Sequence, residues 1–232
     1  MLVTPELLGT FPILKPLSPP ILGHLAQECS MQRYARRGIV LNAGENADSI
    51  IFLFEGRLQG VDFTIDGREV GLYFVEPGDF CGEIAFFDNG PIPEFVIALT
   101  ASLVVKAPFD SVRTAMLSNP VNLNVFGSKL ASRIRQMTHQ RSLLSLPNIP
   151  QRVCCQLWML LSAAEQKAPA PSIINPPTHM EIAIMLNVSR ETVTRVFQSL
   201  QNQQIVRRLG PGQLLIADPS ALQALAEGKK EL

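Results

Sequence analysis

The sequence has no excess of either charge: its 232 residues carry 20 basic and 20 acidic side chains. That balance excludes a uniformly basic nucleic-acid coat and an acidic tail. Charge is also sparse, at 17% of residues against 47% hydrophobic, which excludes a disordered chain and leaves ample apolar material for a core. No apolar run reaches the ~18 residues of a membrane span. Met1 to Phe11 lacks the basic stretch and following apolar run of a secretory signal. The four cysteines, Cys29, Cys81, Cys154 and Cys155, form no Cys-x-x-Cys pair, and the adjacent pair cannot close an ordinary disulfide. Neither a zinc site nor a cysteine-held iron–sulfur cluster is expected, and reduced thiols in the cytoplasm are. There is no P-loop, no nucleophile motif and no carboxylate pair with a histidine, so the chain does not read as an enzyme. His24, His139 and His179 are scattered and read as surface or packing residues.

The neutral total conceals a segregation. Residues 1–128 hold eight Lys/Arg against fourteen Asp/Glu, a balance of −6, and residues 129–232 hold twelve against six, a balance of +6. An acidic front and a basic back suit two modules, the second facing a polyanion; chance segregation of solvated charge is the alternative.

In the first ~120 residues short apolar runs, Ile50 to Phe54 and Val70 to Val75, alternate with Gly-containing turns about ten residues apart, the rhythm of an antiparallel sandwich or barrel. Asp66-Gly67 between alternating stretches marks a hairpin. Pro120 suits a helix start. From there Leu123, Leu130, Met137 and Leu144 recur every seventh residue, with Ile134 four after Leu130, an a/d-like seam weakened by Gly127 and Arg141. The seam fits a two-helix dimer interface, or one long helix packed on its own domain. Pro147 and Pro150 mark a hinge around Asn148. Beyond it the pattern predicts a helix over Val153 to Ala164, a Pro-rich connector over Lys167 to Pro177, short helices over Thr178 to Leu186 and Ser189 to Gln201, and a hairpin wing over Ile205 to Ile216.

The two short helices have the spacing of a helix-turn-helix. Ala183 is small where helices cross, Asn187 tolerates a left-handed turn, Ser189 suits an N-cap and Glu191 the first turn. The second helix separates its faces: Arg190, Glu191, Thr194, Arg195 and Gln198 on one side, Val193, Val196, Phe197 and Leu200 on the other. Guanidinium forks suit the O6/N7 edge of guanine, and a carboxylate suits cytosine N4. An ordinary helix with a solvated polar face is the competing reading.

The run Ser189-Arg190-Glu191-Thr192-Val193-Thr194-Arg195 resembles the recognition helix of the cyclic-AMP receptor protein branch of the CRP/FNR regulators. Asn42-Ala43-Gly44-Glu45, Pro77-Gly78-Asp79-Phe80 and Gly82-Glu83-Ile84-Ala85-Phe86-Phe87 resemble that family's β-roll and phosphate-binding cassette. The resemblance spans nearly the whole chain. It implies an α+β fold with a cyclic-nucleotide-binding-like β-roll (1–119), a central dimerisation helix (120–146) and a winged helix-turn-helix (147–232). It also implies a homodimeric transcription regulator. Arg190, Glu191 and Arg195 would read bases of palindromic TGTGA-like half-sites in double-stranded DNA. Thr178 and Ser189 would contact phosphates at the edge of the groove, and Thr194, on the polar face of the second helix, would also belong to the DNA-binding set. RNA polymerase is a further implied partner, although Ala163 to Pro171, where family activators meet it, is unlike them in detail.

For the effector, the resemblance implies that Glu83 takes a ribose hydroxyl while the cassette backbone at Gly82, Ile84 and Ala85 takes a phosphate. The family's Arg-Ser pair is missing: Gly90 to Phe95 stands there, with Pro93 and Glu94 in place of the cation. A buried phosphate without that fork loses a charge-assisted contact, and Glu94 adds like charge. The expected effector is therefore a nucleotide other than cyclic AMP in its usual pose. A cyclic dinucleotide such as cyclic di-GMP would use Glu94 as an acceptor for a guanine edge and Arg135 and Thr138 from the central helix. An effector-independent regulator with a vestigial pocket and a nucleotide-sensing protein-interaction module stand as alternatives.

Overall fold

The computed structural model describes residues 2–117, 120–161, 166, 168, 170–210 and 212–232, with Pro120 and Asn122 described by their backbone alone. The chain divides into two compact units, Met1–Phe63 with Leu72–Met137, and Thr64–Gly71 with Thr138–Leu232.

The first unit opens with helices α1 (Pro5–Leu8) and α2 (Pro19–Glu28), which sequence periodicity did not single out. Two antiparallel sheets follow, built from β1 (Ser30–Tyr34), β2 (Ile39–Leu41), β3 (Ser49–Glu55), β4 (Leu58–Phe63), β5 (Glu69–Val75), β6 (Phe80–Cys81), β7 (Phe95–Ala98) and β8 (Ser102–Pro108). Their strand orders are β1-β8-β3-β6 and β2-β7-β4-β5. Ten-residue turn spacing thus does correspond to an antiparallel roll. Strand β3 is buried on both faces because it divides two cores. Ile50 and Phe52 enter the cluster under α2, while Ile51 and Leu53, on the opposite pleat, enter the cluster between the sheets. Gly56 makes the β3–β4 turn at φ +96°, where a side chain would also run into the backbone of Ala101 and Ser102. Helix α3 (Glu83–Asp88) interrupts the roll between β6 and β7, and α4 (Phe109–Leu117) closes it.

Helix α5 (Pro120–Leu144) runs from one unit into the other. Of its seam residues Leu123, Ile134 and Met137 are exposed, whereas Leu144 is half-buried and Leu130 is half-buried against the core of the first unit. Phe126, Arg133 and Gln140, a second stripe seven residues apart, are buried inside the chain, as is Leu143. Phe126 stacks among Phe80 and Phe86, at ring separations of 4.8 and 5.6 Å.

In the second unit α6 (Ile149–Met159) starts four residues earlier than the apolar pattern predicts. Asn148 is its N-cap, accepting from Gln151 N at 3.0 Å, and Pro150 lies in its first turn, where a missing N–H costs nothing. The break between helices is therefore Ser145 to Asn148, not a hinge reaching Pro150. Ala163 and Ala164 lie outside the described residues, as do Lys167, Pro169 and Pro211. The expected connector contains a strand, β9 (Ser172–Ile174), which pairs with the wing. Then come α7 (His179–Leu186), α8 (Arg190–Asn202), β10 (Val206–Arg208), β11 (Gln213–Ile216) and a further helix, α9 (Pro219–Ala226). The wing is a three-stranded sheet in the order β10-β11-β9. Leu157, Leu186, Val193, Leu200, Leu214 and Leu222 share the buried core beneath it.

Candidate nucleic-acid interface and effector pocket

Helix α7 is opened by a reciprocal cap. The Thr178 hydroxyl accepts from Glu181 N at 3.3 Å, and the Glu181 carboxylate accepts from Thr178 N at 2.9 Å. It is closed by Asn187 at φ +51°, whose N–H returns to the α7 carbonyls of Ala183 and Ile184. That left-handed residue turns the chain sharply enough for Ser189 to cap the next helix, accepting from Thr192 N at 3.2 Å. Helix α8 then buries Val193, Val196, Phe197 and Leu200 and exposes Arg190, Glu191, Arg195 and Gln198 on its outer face. Thr194 is half-buried; its hydroxyl donates to the Arg190 carbonyl at 2.9 Å. The Glu191 carboxylate is held below the usual range by its own backbone amide and by the Ser189 hydroxyl, with Arg190 and Arg195 adding attraction, so at neutral pH it is a pure acceptor. The six residues expected at DNA thus sit within one helix-turn-helix, two of them as caps.

The effector residues do not all converge. Gly82 is the left-handed N-cap of α3 at φ +88°, and Glu83 and Ala85 are buried in that helix; Ile84 is 42% exposed. Glu94, just before β7, is buried and accepts a short hydrogen bond from the hydroxyl of Tyr73 in β5. Arg135 and Thr138 are exposed on α5 and do not join this group. Arg133 does. Its Nη1 lies 3.2 Å from Glu83 Oε1, its Nη2 donates to the Phe80 carbonyl at 3.0 Å, and its guanidinium stacks 3.9 Å from the Tyr73 ring centroid. Glu83, Arg133, Tyr73 and Glu94 form one buried chain of charge and aromatic contacts. Nearby, Lys129 pairs with Asp79 at 2.5 Å. Burial raises the pKa of Glu83, against the pull of Arg133, and burial likewise raises that of Glu94, against the Tyr73 hydrogen bond. Glu83 Oε2 has no hydrogen-bond partner among the described residues. The cation beside Glu83 is therefore Arg133, on the same helix as the expected Arg135.

A Crp-like helix-turn-helix domain matches residues 151–225, and a cyclic nucleotide-binding domain matches residues 31–119. The chain belongs to the CRP/FNR family. Family members are transcription regulators that bind DNA through this motif and act as dimers. The chain is 26% identical over 196 residues to the cAMP-activated global transcriptional regulator CRP of Pasteurella multocida, covering 84% of this chain and 94% of that one. Its fold is similar to FixK2 from Bradyrhizobium japonicum, with a TM-score of 0.71 and 20% identity over 85% of this chain and 96% of that one. It is also similar to the c-di-GMP-responsive global regulator CLP of Xanthomonas campestris, with a TM-score of 0.62 and 20% identity over 82% of this chain and 94% of that one. Among the described residues no helix is long and apolar enough to cross a membrane. The CRP/FNR architecture accounts for the capped helix pair, the wing and the roll in a single chain.

Proposed function

We propose that the chain is a homodimeric cytoplasmic regulator that reads palindromic duplex DNA with TGTGA-like half-sites through Arg190, Glu191 and Arg195. The observation that carries this is the outer face of α8: two guanidinium forks and an ionised carboxylate, exposed together at the start of a capped helix whose other face is buried. A fork matches guanine O6/N7 and a carboxylate matches cytosine N4. Thr178, Ser189 and Thr194 stand at the groove edge. The exposed α5 seam of Leu123, Ile134 and Met137 is the dimer surface, which spaces two half-sites about one helical turn, ~34 Å, apart. RNA polymerase is the partner that a regulator of this kind would meet on its promoter. The test is salt-dependent binding to such a duplex and its loss in Arg190→Ala, which a protein-interaction module would not show.

For the roll, our reading is a nucleotide effector other than cyclic AMP in its usual pose, with cyclic di-GMP the first candidate. Glu94 is an acceptor where a phosphate cation would be needed, and Arg133 is already engaged by Glu83 and the Phe80 carbonyl. The Xanthomonas neighbour responds to that dinucleotide. A second reading, an effector-independent regulator, is favoured by the same chain from Glu83 to Glu94, in which Arg133 pairs with Glu83 and Tyr73 with Glu94 inside the protein. Calorimetry with cyclic AMP and with cyclic di-GMP separates them: heat with cyclic di-GMP supports the first reading, no heat with either supports the second, and heat with cyclic AMP overturns both.

A further inference from the structure

We infer that His179 is a protonation-dependent contact to the DNA backbone beside the reading helix. The inference rests on α8 being the helix that enters the groove. His179 is the first residue of α7, half-buried, with its ring packed 4.4 Å from that of Phe197. Its Nδ1 lies 3.0 Å from the Thr194 hydroxyl oxygen. A hydroxyl has one proton, and Thr194 gives its proton to the Arg190 carbonyl. Thr194 must therefore accept, so Nδ1 carries the proton in both forms of the ring. That fixes the role of the remaining nitrogen. In neutral His179, Nε2 is an acceptor with nothing to offer a phosphate oxygen. In the imidazolium form it is a charged donor.

The surroundings make the state of the ring sensitive to a polyanion. From α8 the charged groups are Arg190 and the exposed Glu191, whose carboxylate is engaged by its own amide and Ser189. From the wing there is Arg208, while Arg207 alternates to the other side of β10. On its own helix Glu181 is turned back into the cap with Thr178. Burial, Arg208 and Arg190 together lower the pKa of His179 in the free protein, so it is neutral there at pH 7. A phosphate placed among Arg190, Arg208 and His179 would neutralise the two arginines and favour the imidazolium. DNA binding would then take up protons, and affinity would rise as pH falls.

The test is anisotropy of a labelled TGTGA/TCACA duplex with full-length protein at fixed salt, between about pH 7.5 and about pH 6. Wild type should tighten by about tenfold or more across this range. His179→Arg should bind tightly with a flat profile and His179→Gln weakly with a flat profile, while the His24→Gln, His139→Gln double variant keeps the wild-type slope. If the His179 variants retain that slope, the inference fails although DNA binding stands. If wild type binds no duplex at any pH, the reading of α8 fails instead. Should His179→Gln not fold, proton NMR of the wild-type ring decides: a higher titration point on duplex supports the contact, and an unchanged one overturns it.

Discussion

Arg133 and Glu83 face each other inside the roll, Nη1 to Oε1 at 3.2 Å, with side chains only 6% and 5% exposed. One belongs to the long helix and the other to the first turn of α3, so their pairing joins the cassette to α5. Neither charge has water to fall back on. Removing one partner should therefore cost more than the pair itself contributes. Arg133→Met should lose about 3–5 kcal/mol of stability by urea unfolding, and Arg133→Met with Glu83→Gln should recover part of that loss. A double variant no better than the single would show that the two charges are not coupled.

Gly60 makes room for the next link in the chain. A methyl group there would come within 2.6–2.7 Å of the Tyr73 ring. Gly60→Ala should push Tyr73 off Glu94 and cost about 1–3 kcal/mol, as overpacking does. Ultraviolet titration reads the displacement. Burial first, then Glu94, hold the Tyr73 phenol well above its ordinary pKa in the wild type, and the variant should bring it back toward that value.

Protonation of the same region sets a pH dependence. Glu83 and Glu94 both have folded pKa values raised above the ordinary carboxylate value, mainly by burial. The folded state then holds protons that the unfolded state has released. Between the raised values and about 4.5 the two groups therefore add stability as pH falls, and they withdraw it as pH rises. Urea midpoints of wild type and of Glu83→Gln, Glu94→Gln across that window should diverge, the wild type gaining on the variant as pH falls.

Asn187 holds the turn between the two reading helices at φ +51°. Asn187→Val places a β-branched residue in the left-handed region and should cost about 1–2 kcal/mol, whereas Asn187→Gly should be near neutral. Thermal unfolding distinguishes the two. Equal losses would mean that the Asn side chain, rather than its backbone angle, is what the turn requires.

The helix-turn-helix was legible in the sequence because each of its signals is local. A capping residue, a left-handed Asn and a clean division of α8 into polar and apolar faces all lie within about 25 residues of one another. The effector pocket was not. Arg133 belongs to a stripe with Phe126 and Gln140 that apolar periodicity cannot register, because two of its three members are polar. The approach of α3, β5 and β6 makes Arg133 a buried residue, while Arg135, two positions on, faces solvent. Strand β9 was hidden for a related reason. Three residues beside a Pro-rich stretch carry no alternation, and they become a strand only by pairing with β11. His179 looked like one more scattered histidine until Thr194, fifteen residues later, proved to be its partner.

The central claim is that the outer face of α8 reads a specific duplex. Fluorescence anisotropy of a labelled duplex bearing TGTGA and TCACA half-sites, against a scrambled duplex at the same salt, tests it most directly. The protein should prefer the designed duplex. Arg190→Ala or Arg195→Ala should each cost about 1–3 kcal/mol on it and little on the scrambled one. Equal affinity for the two duplexes, or alanine variants that weaken both alike, would contradict the base-reading roles of Arg190, Glu191 and Arg195.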